Sequence, residues 1–341
     1  MAIIEVRDLK KVFQTSVRRS GPFGAIHSLF HPLKNEITAV EGVSFTIEQG
    51  ENVAYLGPNG AGKSTTIKML TGILVPSGGD VFVNGLAPYR ERQRNSYQIG
   101  VVFGQRTQLV LDLPAQDTFE LLRYMYSIPY SRYRENLQKY SRLLEVDSFI
   151  DRPVRTLSLG QRMRCEILAA LLHDPEILFL DEPTIGLDVV AKERIRSFIA
   201  EINREKGVTV LLTTHDLGDI ERLCSRVIII DHGRKIYDGS LQLIKENFAT
   251  ERQISLAMPD PASAVQLVRE LQPDPALRVA TEGLTVKIRY DQRKTDTSEL
   301  LRRLLAKVNP NDLVMREEDI ESVIRRIYQD GIEQIVAQSA G

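Results

Sequence analysis

Short apolar runs set the rhythm of the first two thirds of this chain. Residues 53–56 (VAYL), 177–180 (ILFL), 208–212 (VTVLL) and 227–231 (VIIID) are mostly apolar without alternation. Runs of this kind suit strands buried on both faces of a parallel sheet. Residues 3–7 and 43–47 read as further strands, and the turn Glu48-Gln49-Gly50 leads into the run at 53. Residues 81–104 continue the sheet region. Between the strands the period changes. Residues 64–74 and 162–173 are compatible with helices. Over 117–150, Phe119, Leu121, Leu122 and Met125, then Leu137, Tyr140, Leu143 and Leu144, recur at helical spacing. The turn Asp231-His232-Gly233-Arg234 predicts a hairpin between 227–231 and 235–239.

Beyond about residue 245 the pattern starts afresh. Residues 251–257 read as a strand, 262–271 as a helix, 278–290 as one or two strands, 297–308 as a helix, 313–316 as a short strand and 319–329 as a last helix. Pro259, Pro261, Pro273, Pro275 and Pro310 punctuate them. This predicts two domains, 1–244 and 245–341. The second is a small α+β domain with an open-faced, ferredoxin-like arrangement. It carries no catalytic set. The charged helix 319–330, with Arg325 and Arg326, reads as a solvated face.

Composition narrows the class. A chain of 341 residues with 43% apolar and 26% charged residues is long enough for two ordinary globular domains. Its 44 basic and 45 acidic residues nearly cancel, so no nucleic-acid partner is expected. Cys165 and Cys224 lie in apolar settings and read as buried free thiols. Residues 1–7 lack a basic region followed by an apolar core, so no signal peptide is expected. No apolar run approaches the roughly 18 residues a membrane-spanning helix needs.

Chemistry concentrates at two strand ends. Gly57-Pro58-Asn59-Gly60-Ala61-Gly62-Lys63-Ser64 fits G-x-x-x-x-G-K-[ST] at every fixed position, with a strand before it and a helix after it. The glycines let backbone N–H groups curl into a nest for phosphate oxygens, and the helix points its positive end at the same place. Lys63 is expected to reach the β- and γ-phosphates and Ser64 to bind Mg²⁺, with Thr65 beside it. The run at 177 ends in Asp181-Glu182. Carboxylates at the carboxyl end of a buried parallel strand face the ligand crevice of such sheets. Asp181 is expected to hold Mg²⁺ and Glu182 to polarise the water that attacks the γ-phosphate.

Between these motifs stands Leu157-Ser158-Leu159-Gly160-Gln161, and here the chain resembles the ABC (ATP-binding cassette) ATPases. Their signature reads L-S-G-G-Q; Leu159 departs from it. Ile185-Gly186-Leu187-Asp188 looks like the D-loop, usually S-A-L-D, and His215 like the switch histidine. Gln105 looks like the Q-loop glutamine in a segment one residue longer than usual, where Gln108 also competes. The resemblance covers about residues 1–240. It implies a P-loop NTPase cassette with a RecA-like core, an antiparallel β subdomain and a helical subdomain over about 106–160. It implies ATP and Mg²⁺ as ligands, with Gln105 joining Ser64 and Asp181 at the metal, and catalytic roles for Lys63, Glu182 and His215. Phe13 lies where the family stacks an aromatic ring on adenine, and Val40 is expected against the same base. Two cassettes would pack head to tail, so that residues 157–161 and Asp188 act on the partner's ATP. Both half-sites are intact, which makes a homodimer the simpler arrangement.

The resemblance implies a separate permease, touched by the helical subdomain through the joint at 106–114, and hence a peripheral place on the cytoplasmic face of the inner membrane. ATPase subunits of ABC-2-type exporters are most similar, by the I-G-L-D form and the α+β tail. An importer ATPase and a soluble non-transport ATPase are the alternatives. Residues 14–36 are an insertion relative to a minimal cassette. Phe23, Ile26 and Phe30 follow a helical spacing there, which suits either a small amphipathic anchor or a solvated loop.

Overall fold

The computed structural model describes residues 2–17, 33–104, 106–214, 216–248, 251–318 and 320–330. The chain divides into two compact units, Met1–Leu241 and Gln242–Gly341.

In the first unit the apolar runs become a six-stranded sheet. Its strands are β3 (Asn52–Leu56), β5 (Ile99–Phe103), β6 (Ile177–Asp181), β7 (Thr209–Thr213), β8 (Arg226–Asp231) and β9 (Arg234–Ser240), in the order β5-β6-β7-β3-β8-β9. All neighbours are parallel except β8 and β9, which form the expected hairpin. Tyr55, Phe179, Leu211 and Ile228 are fully buried, as strands covered on both faces require. The order sets β7 between β3 and β6. The two strand ends bearing the chemistry are therefore one strand apart, with the end of β7 between them.

A second, antiparallel sheet is built from β1 (Ala2–Val17), β2 (Leu33–Glu48) and β4 (Gly78–Val83). The strands expected at 3–7 and 43–47 are much longer than their apolar cores. The register continues through Gln14↔Glu36 to Val17↔Leu33. Both flanks of the expected insertion are thus strand. Its tip, 18–32, with Phe23, Ile26 and Phe30, lies outside the described residues.

The helices α1 (Lys63–Leu70), α2 (Arg92–Gln98), α3 (Ala115–Met125), α4 (Tyr130–Leu144), α5 (Leu159–Leu171), α6 (Val189–Lys206) and α7 (Leu217–Leu223) complete this unit. In α3 and α4 the inward positions Phe119, Leu122, Tyr140 and Leu144 are buried, while Leu121 and Met125 face solvent. Cys165 and Cys224 are free and buried, and burial pushes both thiols up to about 12. Among the described residues no helix is long and apolar enough to cross a membrane.

The second unit begins with α8 (Leu241–Phe248, whose first residue closes the first unit). It continues with β10 (Glu251–Ala257), α9 (Pro261–Leu271), β11 (Leu277–Glu282), β12 (Thr285–Asp291), α10 (Thr297–Leu305), β13 (Asp312–Glu317) and α11 (Ile320–Asp330). The sheet order β11-β12-β10-β13, all antiparallel, is that of a ferredoxin-like βαββαβ fold. Ile254, Leu256, Val286 and Ile288 face the apolar stripes of α9 and α10 in one core. The last helix departs from the solvated face expected of it. Val323, Ile324 and Ile327 bury a stripe, and Arg326 pairs with Glu318 at 3.2 Å.

Candidate active site

The P-loop folds as its glycines dictate. Gly62 stands at φ 105° before α1, a left-handed conformation that side chains resist. A Cβ there would also lie 2.4 Å from the Ala39 carbonyl oxygen. No side chain caps α1, and no acid sits in its first turn. Its first N–H groups are therefore left for an anion. Lys63 is 6% exposed, and its Nζ donates to the carbonyls of Gly57 at 2.6 Å and Pro58 at 3.2 Å. Burial pulls the ammonium's pKa below its ordinary value, and the carboxylates of Glu182 and Asp181 oppose that pull. An ammonium in this position gains from a phosphate neighbour.

The acids come to the same place. Ser64 Oγ lies 3.4 Å from Asp181 Oδ1, across the boundary between β3 and β6. Thr213, at the end of β7, fills the gap between the strands. Its Oγ1 donates to Asp181 Oδ1 at 2.6 Å. Its carbonyl and hydroxyl oxygens accept from Glu182 N–H at 2.9 and 3.2 Å. Those bonds hold Glu182 at φ 57°, a left-handed conformation that costs a glutamate of order 1 kcal/mol. The chain turns there so that an acid follows the strand's last residue into the cleft. Gly104 N–H donates to the Asp181 carbonyl at 2.8 Å, bringing the end of β5 to the end of β6. A Cβ at Gly104 would meet the Glu182 carbonyl oxygen at 2.5 Å.

A cleft of about 640 Å³ opens over this group, lined by Asn59, Gly60, Lys63, Thr65, Asp181 and Glu182, among others. Gly62 and Ser64 line it too. Gly57, Pro58 and Ala61 are not in the lining; Gly57 and Ala61 are buried and Pro58 is exposed. Among the described residues no cluster of three or more His, Cys, Asp or Glu is set to hold a metal. The oxygens offered are one hydroxyl, Ser64, and the Asp181 carboxylate. This is a hard donor pair suited to a cation that takes its other ligands from phosphate and water.

Two expected base contacts fare differently. Val40 is fully buried, against the P-loop at Gly62. Side chains alternate along β2, so Ala39 lines the cleft and Val40 faces the core. Val40 is therefore not available to a bound base. Phe13 stands on β1 opposite Ile37, half-buried, with the Lys11 ammonium 5.2 Å from its ring centroid. It is not part of the cleft lining. Gln105 and His215 lie outside the described residues. Gln108 is described, and its side-chain amide donates to the Glu166 carbonyl at 3.2 Å, away from the cleft lining.

The signature segment is elsewhere. Leu157 precedes Ser158, which caps α5 in a reciprocal box: its Oγ accepts from Gln161 N–H at 3.2 Å, and Gln161 Oε1 accepts from Ser158 N–H at 2.9 Å. The helix starts at Leu159, earlier than the expected 162, because this box nucleates it. Leu159 is exposed and Gly160 lies in the first turn. Asp188 caps α6, accepting from Ala191 N–H at 2.8 Å. None of these residues lines the cleft of its own subunit. Thr213 is the functional residue that the sequence reading passed over. Its signal was a hydroxyl at the carboxyl end of an apolar strand.

The family described as ABC transporter matches residues 40–185. The chain is 34% identical to the ABC transporter ATP-binding protein NatA of Bacillus subtilis over 222 residues, 65% of this chain and 90% of that one. It is 37% identical to Nod factor export ATP-binding protein I of Burkholderia pseudomallei over 238 residues, 69% of this chain and 75% of that one. Among solved structures, the dimeric post-hydrolysis ATP-binding cassette MJ0796 bound to ADP and Pi superposes with a TM-score of 0.58 at 26% identity. That match covers 70% of this chain and 98% of the other. A cassette fold, a complete P-loop beside paired acids and these likenesses place the chain in one family: it is an ABC transporter ATP-binding subunit, an ATPase.

Proposed function

We propose that this subunit hydrolyses Mg²⁺-ATP between two copies of itself and so drives a separate membrane permease of the ABC-2 exporter type. The observation that carries the catalytic part is the convergence of Lys63, Ser64, Asp181 and Glu182 on one cleft at the ends of β3 and β6, with β7 between them. The P-loop N–H groups and the Lys63 ammonium hold the phosphates. Ser64 and Asp181 would hold the divalent cation, which neutralises charge on the phosphate oxygens. Glu182 accepts a hydrogen bond from the attacking water. The water oxygen bonds to the γ-phosphorus, the bond to the β–γ bridging oxygen breaks, and ADP leaves with that electron pair. His215 reads the γ-phosphate, and Gln105 joins the cation.

The signature acts in trans. Ser158 and the N–H groups opening α5 meet no phosphate in their own cleft, so a partner's ATP is their natural ligand. Asp188 joins them. Exposed Leu121, Tyr124 and Met125 on α3 and Tyr130 on α4, with Leu111 and Leu113 before them, offer the permease an apolar surface. Export follows the wording of the relatives' names. The same reading makes the protein peripheral, at the cytoplasmic face of the inner membrane through that permease, and makes the 245–341 domain an accessory to the cassette.

The deciding experiment uses tagged Glu182→Gln protein with ATP to capture partners from detergent-solubilised membranes of its own host, identified by mass spectrometry. Recovery of a polytopic membrane protein supports the transporter reading. Recovery of only ribosomes, DNA-bound complexes or soluble partners overturns it and leaves the ATPase chemistry standing.

A further inference from the structure

Among the described residues the catalytic account leaves two buried carboxylates unused, Glu166 and Asp219, and of these only Asp219 has no exposed surface. Asp219 on α7 is fully buried, yet it lies outside the cleft lining. A buried carboxylate persists only when its oxygens are satisfied. Here the donors come from three separate segments. Thr184 Oγ1 donates to Oδ2 at 2.5 Å, Thr214 Oγ1 to the same oxygen at 2.6 Å, and Arg196 Nε on α6 to Oδ1 at 2.7 Å. Both threonines are themselves buried.

The places of those donors matter. Thr184 is two residues beyond Glu182, on the loop that carries the acid from β6 toward α6. Thr214 follows Thr213, which pins Asp181 and Glu182, and precedes the expected switch histidine. The next residue after that histidine is anchored as well. Asp216 N–H donates to Thr214 Oγ1 at 2.9 Å, and its carboxylate takes Arg196 at 2.8 Å and Lys192 at 2.5 Å. One carboxylate therefore ties together the loop of the attacking-water acid, the loop of the histidine and the helix that Asp188 caps.

We infer that Asp219 is a positioning residue for hydrolysis: it fixes the loop after Glu182, at Thr184, and the end of β7, at Thr214, in one mutual geometry without touching the nucleotide. The inference rests on the proposed roles of Glu182 and His215. A displacement of about 1 Å at such a site is enough to cost a large factor in rate. Among the described residues the P-loop shares no hydrogen bond with Asp219, Thr184, Thr214 or Arg196, so nucleotide binding is expected to be spared.

Asp174 supplies the control. It is also a hydrogen-bonded carboxylate hub, held by Arg132 and Lys206 at 2.6 Å each and by Asn136 at 2.8 Å, but it joins α4 and α6 away from these loops. The test measures ATPase kcat, KM for ATP and melting temperature of the full chain. For Asp219→Asn the inference expects kcat to fall at least about tenfold with KM within about twofold. Thr184→Val and Thr214→Val should each lower kcat by a smaller factor. Their combination should fall short of the product of the two, since both act through one carboxylate. Thr184→Ser, which restores the hydroxyl, should regain activity. Asp174→Asn should lower the melting temperature with kcat unchanged.

Unchanged kcat in folded Asp219→Asn overturns the inference. So does a kcat loss in Asp174→Asn equal to that in Asp219→Asn, since the effect is then general loosening. If Asp219→Asn does not fold, the threonine series decides alone, and unchanged kcat in Thr184→Val and Thr214→Val overturns it. Glu182→Gln run in parallel separates the two levels. Normal turnover there removes the role of Glu182, whereas a dead Glu182→Gln beside a normal Asp219→Asn removes only this inference.

Discussion

The function proposed for this subunit gives two helix N-termini a phosphate to hold, and the two helices begin in opposite ways. Helix α1 opens on Gly62, with no side-chain cap and a backbone already turned into the left-handed region. Its spare N–H groups have no partner within the side chains around them, so they are fully available to a ligand. Helix α5 opens on Ser158, whose hydroxyl and the Gln161 amide close a complete capping box. Part of its donor set is consumed by its own chain. The first site is organised for binding before nucleotide arrives. The second is organised for folding, and it offers a phosphate only the N–H groups left at Leu159 and Gly160. If the signature acts in trans as proposed, a cassette built this way is expected to bind ATP on its own P-loop first and to engage its signature afterwards, when a second cassette brings a γ-phosphate to it.

The sharpest way to break that asymmetry is to remove the cation at the first helix. Lys63→Ala is expected to weaken ATP binding by at least about 100-fold, because it removes a largely buried ammonium from the place where the phosphates are expected. Isothermal titration with Mg²⁺-ATP measures it, and near-normal affinity would mean that α1 and the glycine nest suffice. Glu182→Gln comes next. It keeps the shape of the site and removes only the ability to polarise water, so kcat should fall by about 10²–10⁴-fold while ATP affinity holds. With ATP present the variant should elute as a closed dimer in size-exclusion chromatography. Turnover close to wild type would sink the role given to Glu182.

The contrast between the helices also shows what a sequence makes legible. The P-loop and the Asp181-Glu182 pair are contiguous in the chain, and the physics that fixes them is local, so residue types at fixed spacing suffice. The five parallel strands of the large sheet were legible because they are mostly apolar, and polar β9 only because the turn Asp231-His232-Gly233-Arg234 announces its hairpin. The long β1–β2 hairpin was not, because both faces beyond its core are wet: Lys10, Gln14 and Glu36 are exposed, and no period of two survives. Val40 was expected at the base but is buried in the core, a distinction that depends on which side of β2 the core lies. Thr213 and Asp219 act across strands and loops, through contacts 32 and 35 residues apart in sequence, so no spacing announces them. The Ser158 box is written in the sequence as S-x-x-Q before a helical run, a local signal of the same kind as the P-loop.

Ser158 therefore allows the comparison to be divided in two. Ser158→Arg places a long cation where a partner's nucleotide would lie. It should leave the affinity of the subunit's own P-loop for ATP unchanged and lower hydrolysis by at least about tenfold, because 1.4 kcal/mol of lost closure is enough for that factor. Normal hydrolysis would end the two-cassette reading. Ser158→Ala is the gentler change and the smaller effect. It removes the hydroxyl that accepts from Gln161 N–H and leaves the backbone N–H groups of α5 in place. Loss of an N-cap costs about 1 kcal/mol, which for a unit of this size is a fall of about 2–4 °C in melting temperature. If the hydroxyl is spent chiefly on the cap, ATP hydrolysis should drop by less than in Ser158→Arg while the melting temperature falls. If the melting temperature holds and hydrolysis drops as far as in Ser158→Arg, the hydroxyl belongs to the partner's nucleotide and the box is incidental. The two helices would then be alike in purpose and differ only in which molecule satisfies them.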